Sequence, residues 1–149
     1  MLMTYIHIFL AEDDPDDRYF FEDAFKKAAI PGKVTVVEDG QKLTSLLAKV
    51  GSPPPPDIIF LDINMPRKNG KECLREIRDN DKFDGTPVVI FSTSNFHKDI
   101  DETFKDGASR YIMKNDFFEN RQEMLKRLFS ANWQQELLNP TKEQFIFRA

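Results

Sequence analysis

Four consecutive apolar residues, Ile58-Ile59-Phe60-Leu61, follow a proline-rich stretch and end on a carboxylate, Asp62. A strand with no polar alternation is buried on both faces, as the central strands of parallel sheets are, whereas a half-exposed antiparallel strand alternates. Parallel neighbours need crossover connections, so a strand of this kind commits the rest of the chain to supplying helices. The carboxyl end of such a strand is where open α/β sheets bind ligands, and there the chain places a charge. An acid that merely ends a strand is common, so Asp62 needs company before it counts as a site.

The crossovers are legible on either side. Tyr5 to Leu10 predicts a first strand. Pro15 to Ala29, with Phe20, Phe21, Ala24, Phe25 and Ala28 at helical spacing, predicts a helix that Pro31-Gly32 ends. Lys33 to Val37 predicts a strand and Gln41 to Val50 a helix. Gly51-Ser52 and the four prolines after them predict a surface loop. After the third strand come a helix from Gly70 to Arg78, a strand from Pro87 to Phe91, a helix from Asp99 to Lys105, a strand from Ser109 to Met113, and a last helix from Phe117 to about Leu138. Five strands alternating with five helices predict a doubly wound five-stranded parallel sheet, with helices on both faces.

At 149 residues the chain fits one domain with a real core. A formal charge of −4, from 21 basic and 25 acidic residues with no basic block, gives no nucleic-acid surface. Cys73 is the only cysteine, so no internal disulfide can form and a reducing compartment is the simplest setting. The apolar start, Met1 to Ala11, lacks a basic leader and runs into Glu12-Asp13-Asp14, which argues against a signal peptide or membrane span and for a cytoplasmic protein.

The other strand ends supply the company that Asp62 needs. The first strand ends at Glu12-Asp13-Asp14, the fourth at Ser92-Thr93-Ser94 and the fifth at Lys114. In the flavodoxin-like order 2-1-3-4-5, the first and third strands are neighbours, so Glu12, Asp13 and Asp62 converge at the switch point. Two carboxylates about 4 Å apart repel by roughly 4 kcal/mol at an effective dielectric of 20, so three in one cleft call for a compensating cation. Mg2+ suits carboxylates, a carbonyl and water, while Lys114 and the Ser92 hydroxyl face the same cleft from the other side. Such a cleft can hold a phosphoryl group. Asp14-Pro15-Asp16-Asp17 also reads as a helix start: Asp14 is either the cap or a ligand, while Asp16 and Asp17 are expected only to face the helix dipole.

With these pieces in place, roughly residues 4 to 130 resemble the receiver domain of two-component response regulators, the CheY-like fold. The resemblance rests on Ala11-Glu12-Asp13-Asp14-Pro15, on Leu61-Asp62-Ile63-Asn64-Met65-Pro66 with Gly70 eight residues after the aspartate, on Pro87 through Ser92, and on Gly107 through Lys114. It implies that Asp62 accepts a phosphoryl group from a phosphohistidine, carried by a sensor histidine kinase or a histidine phosphotransfer protein. It implies that Glu12, Asp13, Asp62 and the backbone carbonyl of Asn64 hold Mg2+. Ser92 would be the switch hydroxyl, Tyr111 the switch aromatic and Lys114 the phosphoryl-binding lysine. The run Asp13 to Asp17 and the run Met65 to Gly70 are similar to those of single-domain regulators associated with phytochrome kinases.

One position departs from the pattern: receivers usually carry proline after the lysine, whereas this chain has Lys114-Asn115, which predicts a trans bond with a reshaped loop or a strained cis bond. Residues 131–149 are expected to form a C-terminal extension too short for an output domain. Leu125, Leu128, Phe129, Trp133, Leu137 and Leu138 are expected to prolong the last helix, and Thr141 to Gln144 resembles a capping box leading into Phe145-Ile146-Phe147. The extension either packs on its own core or exchanges with a second subunit, and a homodimer through the fourth helix, fifth strand and fifth helix is the other arrangement expected. Asn64 and Ser94 are expected to tune the lifetime of the acyl phosphate. The alternative function is a receiver-like scaffold that is never phosphorylated. A haloacid-dehalogenase-type phosphohydrolase is disfavoured because Asn64 stands where its general acid would, and a flavodoxin relative because no glycine-rich loop follows the first strand.

Overall fold

The computed structural model describes residues 4–49 and 55–149. The expected start at Met1 to Met3, the helix end at Val50 and the loop residues Gly51 to Pro54 lie outside the described residues. In chain order the elements are β1 (Ile6–Ala11), α1 (Pro15–Lys27), β2 (Gly32–Val37), α2 (Gly40–Leu47), β3 (Ile58–Leu61), α3 (Gly70–Arg78), β4 (Val88–Ser92), α4 (His97–Lys105), β5 (Arg110–Met113), α5 (Lys114–Leu128) and α6 (Trp133–Leu137). The strands form one parallel sheet, as the alternation predicts, and their order is the flavodoxin-like β2-β1-β3-β4-β5.

Side chains along the central strands go alternately to two cores. Ile8, Leu10, Ile58, Phe60, Val89 and Phe91 pack beneath α1 and α5, where Phe21 lies 4.8 Å from Phe60 and stacks on Phe117 at 5.7 Å. Phe9, Ala11, Ile59, Leu61, Val88 and Ile90 pack beneath α2, α3 and α4. This double burial is why β3 carries no polar alternation.

Two local devices set the cleft. In the β1–β3 register Ala11 pairs with Leu61, and Asp62 N donates to Ala11 O at 3.1 Å, so Glu12 and Asp62 leave the sheet side by side. Gly70 opens α3 against the segment after β3: a Cβ there would lie 2.1 Å from the Asp62 carbonyl oxygen, so only glycine allows this approach.

The carboxyl-terminal third departs from the sequence reading. α5 begins at Lys114, three residues before the expected Phe117, so the strand runs directly into the helix with no reshaped loop between them. The helix kinks at Asn120 (φ −134°) and ends at Leu128 instead of continuing to Leu138. Asn132, with φ of 64°, adopts the left-handed conformation that asparagine tolerates, and the chain turns into the separate helix α6. Trp133 and Leu137 are thereby folded back onto the core that receives Phe129, with the Phe129 and Trp133 rings 5.0 Å apart. The apolar stripe was real, but it serves two short segments.

The Thr141 and Gln144 side chains each accept from the other's backbone N–H as in a capping box, at 3.3 and 3.1 Å, yet they close a turn with no helix after it. Beyond it, Tyr111 N donates to Phe145 O and Phe147 N donates to Tyr111 O, both at 2.9 Å. The tail thus adds a parallel bridge to the edge of β5 and covers part of what would be an open sheet edge.

Candidate functional site

The loop after β1 carries Glu12 and Asp13, the end of β3 carries Asp62, and the first residue of α5 is Lys114. Glu12 and Lys114 are buried, Asp62 is 6% exposed and Asp13 faces solvent. One oxygen from each of Glu12, Asp13 and Asp62 lies within 4.8 Å of the others, and the acids expected to converge do so. Arg18 Nη1 donates to the Glu12 carbonyl at 2.8 Å and holds that turn in place.

Lys114 enters the cleft from the opposite side. Its Nζ lies 2.7 Å from Glu12 Oε1, 2.7 Å from Asp17 Oδ2 and 3.3 Å from Asp62 Oδ2, and 5.3 Å from the centre of the Phe91 ring. Glu12 Oε1 is a buried oxygen whose one partner among the described residues is this ammonium. Burial and the charge of Asp62 push the Glu12 carboxyl up to about 8, against the pull of Lys114. Burial also raises Asp62, although Lys114 opposes it. For Lys114, burial acts to lower the ammonium's pKa, but Asp17, Glu12 and Asp62 outweigh it and push it up.

The lysine is therefore a fixed positive charge that leaves the surrounding carboxylates under-compensated. A buried oxygen that shares one lysine with two other acids fits a hard divalent cation, and these donors suit Mg2+. Asp14 does something else: its side chain accepts from the backbone N–H groups of Asp16 and Asp17 and caps α1. Asp17, expected to serve only that helix start, is an ion-pair partner of Lys114, which sequence reasoning missed. An acid in the first turn of α1, facing a lysine 97 residues away, carries no local signal of its own.

Ser92 is buried at the end of β4, and its Oγ accepts from Ser94 N at 3.1 Å. Tyr111 is fully buried and donates its hydroxyl to the Ser94 carbonyl at 2.8 Å. The Ser94 hydroxyl is hydrogen-bonded to Asp99 of α4, and Lys71 of α3 sits 2.6 Å from Asp99 and 2.7 Å from Glu102. A continuous polar chain thus runs from Ser92 through Ser94 to Tyr111, α4 and α3. Asn64 is exposed two residues beyond Asp62.

Comparison with known proteins places these positions in context. The family profile described as the response regulator receiver domain matches residues 8–129. Response regulator Rcp1 of Synechocystis sp. is 30% identical over 110 residues, spanning 72% of this chain and 75% of that protein. Two-component response regulator ORR5 of rice is 28% identical over 108 residues, spanning 72% and 77%. Among solved structures, the Mn2+-bound form of Rcp1 superposes with a TM-score of 0.78 at 27% identity, over 85% of this chain and 96% of that one. The phosphorylated cyanobacterial phytochrome response regulator RcpA gives a TM-score of 0.77 at 27% identity, over 86% and 96%.

Proposed function

Because this chain belongs to the response regulator receiver family, we propose that it is a phosphoacceptor switch of a two-component phosphorelay. Asp62 takes a phosphoryl group from the phosphohistidine of a sensor histidine kinase or a histidine phosphotransfer protein, and a protein partner reads the resulting change of shape. The observation that carries this reading is the setting of Asp62: an ammonium 3.3 Å away on one side and two further acids within 4.8 Å on the other. The relatives known as phytochrome response regulators favour a light-sensing kinase as the donor.

An Asp62 oxygen attacks phosphorus, the P–N bond breaks, and its electron pair returns to the imidazole, which departs as the neutral ring when its other nitrogen carries a proton. Glu12, Asp13, Asp62 and the backbone carbonyl of Asn64 would hold Mg2+, whose charge offsets that on the transferring oxygens. Lys114 neutralises the same oxygens from the α5 side. The reaction asks for positioning and charge, and the cleft supplies both. Ser92 then turns toward the phosphoryl group. That movement breaks its bond to Ser94 N and disturbs the carbonyl on which Tyr111 rests, so the two packings of the β4–α4 segment exchange populations. The protein turns over no substrate other than its own acyl phosphate.

The setting this implies is cytoplasmic, and no helix among the described residues is long and apolar enough to cross a membrane. A homodimer through α4, β5 and α5 would have to displace or exchange the segment 145–147, which here sits on β5 of its own chain. The test is intact-mass measurement after incubation with phosphoramidate and Mg2+. We expect one phosphoryl adduct on the unmodified chain, none on Asp62→Asn and none in EDTA. No adduct on the unmodified chain would favour a scaffold that works by contacts alone.

A further inference from the structure

We propose that Asp17 is a positioning residue for the phosphoryl-transfer site, holding the Lys114 ammonium from α1 so that Glu12 and Asp62 are left free for a cation and the incoming phosphoryl group. The proposal deepens the phosphoacceptor reading and rests on it. A lysine ammonium has three N–H donors, and three carboxylates surround this one: Glu12 and Asp17 at 2.7 Å, Asp62 at 3.3 Å. Two of the three also belong to the cluster whose oxygens lie within 4.8 Å of one another, whereas Asp17 does not. A cation bound in that cluster competes with the ammonium for Glu12 and Asp62. Asp17 is the carboxylate contact that stays with the lysine.

The local structure fits such a role. Asp14 fixes the first turn of α1 by accepting from Asp16 N and Asp17 N, so the backbone of Asp17 is set. Asp16 in the same turn faces solvent, while the Asp17 side chain turns inward with 15% of its surface exposed. Favourable interaction with the helix dipole needs no inward turn, so the burial of Asp17 has another cause. On the other side, Lys114 is the first residue of α5, straight after β5, with no proline following it. Its long stem takes its aim from the charges it meets.

The test is a double-mutant cycle on the whole chain, with Asp17→Ala and Asp17→Asn made in both the unmodified and the Lys114→Ala backgrounds. Mg2+ affinity is read by calorimetry and phosphorylation by phosphoramidate is read by mass. In the unmodified background we expect Asp17→Ala to weaken Mg2+ binding and slow phosphorylation, each by about 5- to 10-fold, in the range of coupling between contacting charged groups. Asp17→Asn, which still accepts a hydrogen bond, should recover part of both losses. In the Lys114→Ala background the same substitutions should change neither quantity by more than about 2-fold, because the residue they act through is gone. Equal losses in both backgrounds, absence of Mg2+ binding by the unmodified chain, or a lowered melting temperature with unchanged Mg2+ affinity would each overturn the proposal. If the unmodified chain binds Mg2+ but takes no phosphoryl group, the acceptor reading fails, and the Mg2+ half of the cycle still decides the role of Asp17.

Discussion

The cleft at the ends of β1 and β3 and the extension on β5 bury polar groups in opposite ways. In the cleft one lysine answers several acids, Glu12 Oε1 meets no other donor among the described residues, and burial pushes Glu12 and Asp62 upward. Where the extension docks, Arg110 of β5 is buried too, but its guanidinium donates to the carbonyls of Ser109, Glu136 and Leu137 at 2.6, 2.9 and 3.1 Å. The planar fork of arginine meets several carbonyls at once and anchors α6 beneath β5. Phe145 then fills the space between Tyr111 and Phe104, with ring centres 6.1 and 5.2 Å away. One region is left electrostatically incomplete, as a ligand site must be, and the other is satisfied by its own chain.

This contrast predicts that substitutions in the extension cost stability, whereas substitutions in the cleft cost function. Phe145→Ala should have the largest effect, a loss of about 3–5 kcal/mol in urea unfolding, because it empties a site that is 1% exposed. A loss below about 1 kcal/mol would mean that the tail is not part of the core. Arg110→Ala should cost about 2–3 kcal/mol by stranding carbonyls that accept from a charged donor, and Arg110→Lys should recover only part of it.

Gly70→Ala, at the cleft, should cost both stability and function. The added methyl meets the Asp62 carbonyl oxygen, so we expect about 1–3 kcal/mol of destabilisation together with slower phosphorylation. Asp13→Asn, at an exposed acid, should change stability in EDTA by no more than about 0.5 kcal/mol. It should nevertheless abolish the stabilisation expected from Mg2+ on the unmodified protein, about 2.7 kcal/mol at 100 times the dissociation constant, read as a rise in melting temperature. Smallest of all is the effect at Cys73, a buried thiol pushed up to about 12 by its burial. As the thiolate is the reactive form, a thiol reagent at pH 8 should leave the native protein unmodified and label it only in denaturant.

The parallel sheet and the meeting of Glu12, Asp13 and Asp62 were legible because both follow from local information. Apolar periodicity assigns the strands, and the flavodoxin-like order makes the ends of β1 and β3 neighbours. The last helix was misjudged for the same reason. A 3.6-residue stripe looks the same whether Phe129 and Trp133 lie on one rod or on two segments folded against one core. Likewise Thr141 and Gln144 form the reciprocal bonds of a cap, but a cap needs a following segment free to be helical, and Phe145-Ile146-Phe147 is held by β5.

Patterning along the chain therefore determined the layers and the parallel sheet, and the flavodoxin-like strand order then brought the acids to the cleft. Tertiary structure alone decided that Asp17 pairs with Lys114, that Arg110 holds α6, and that the tail pairs with Tyr111. These are contacts between residues 97, 27 and 34 positions apart, the last being Tyr111 with Phe145, and they depend on how rigid elements dock in space. No propensity or periodicity reports such docking, because its energy belongs to the pair and not to either segment.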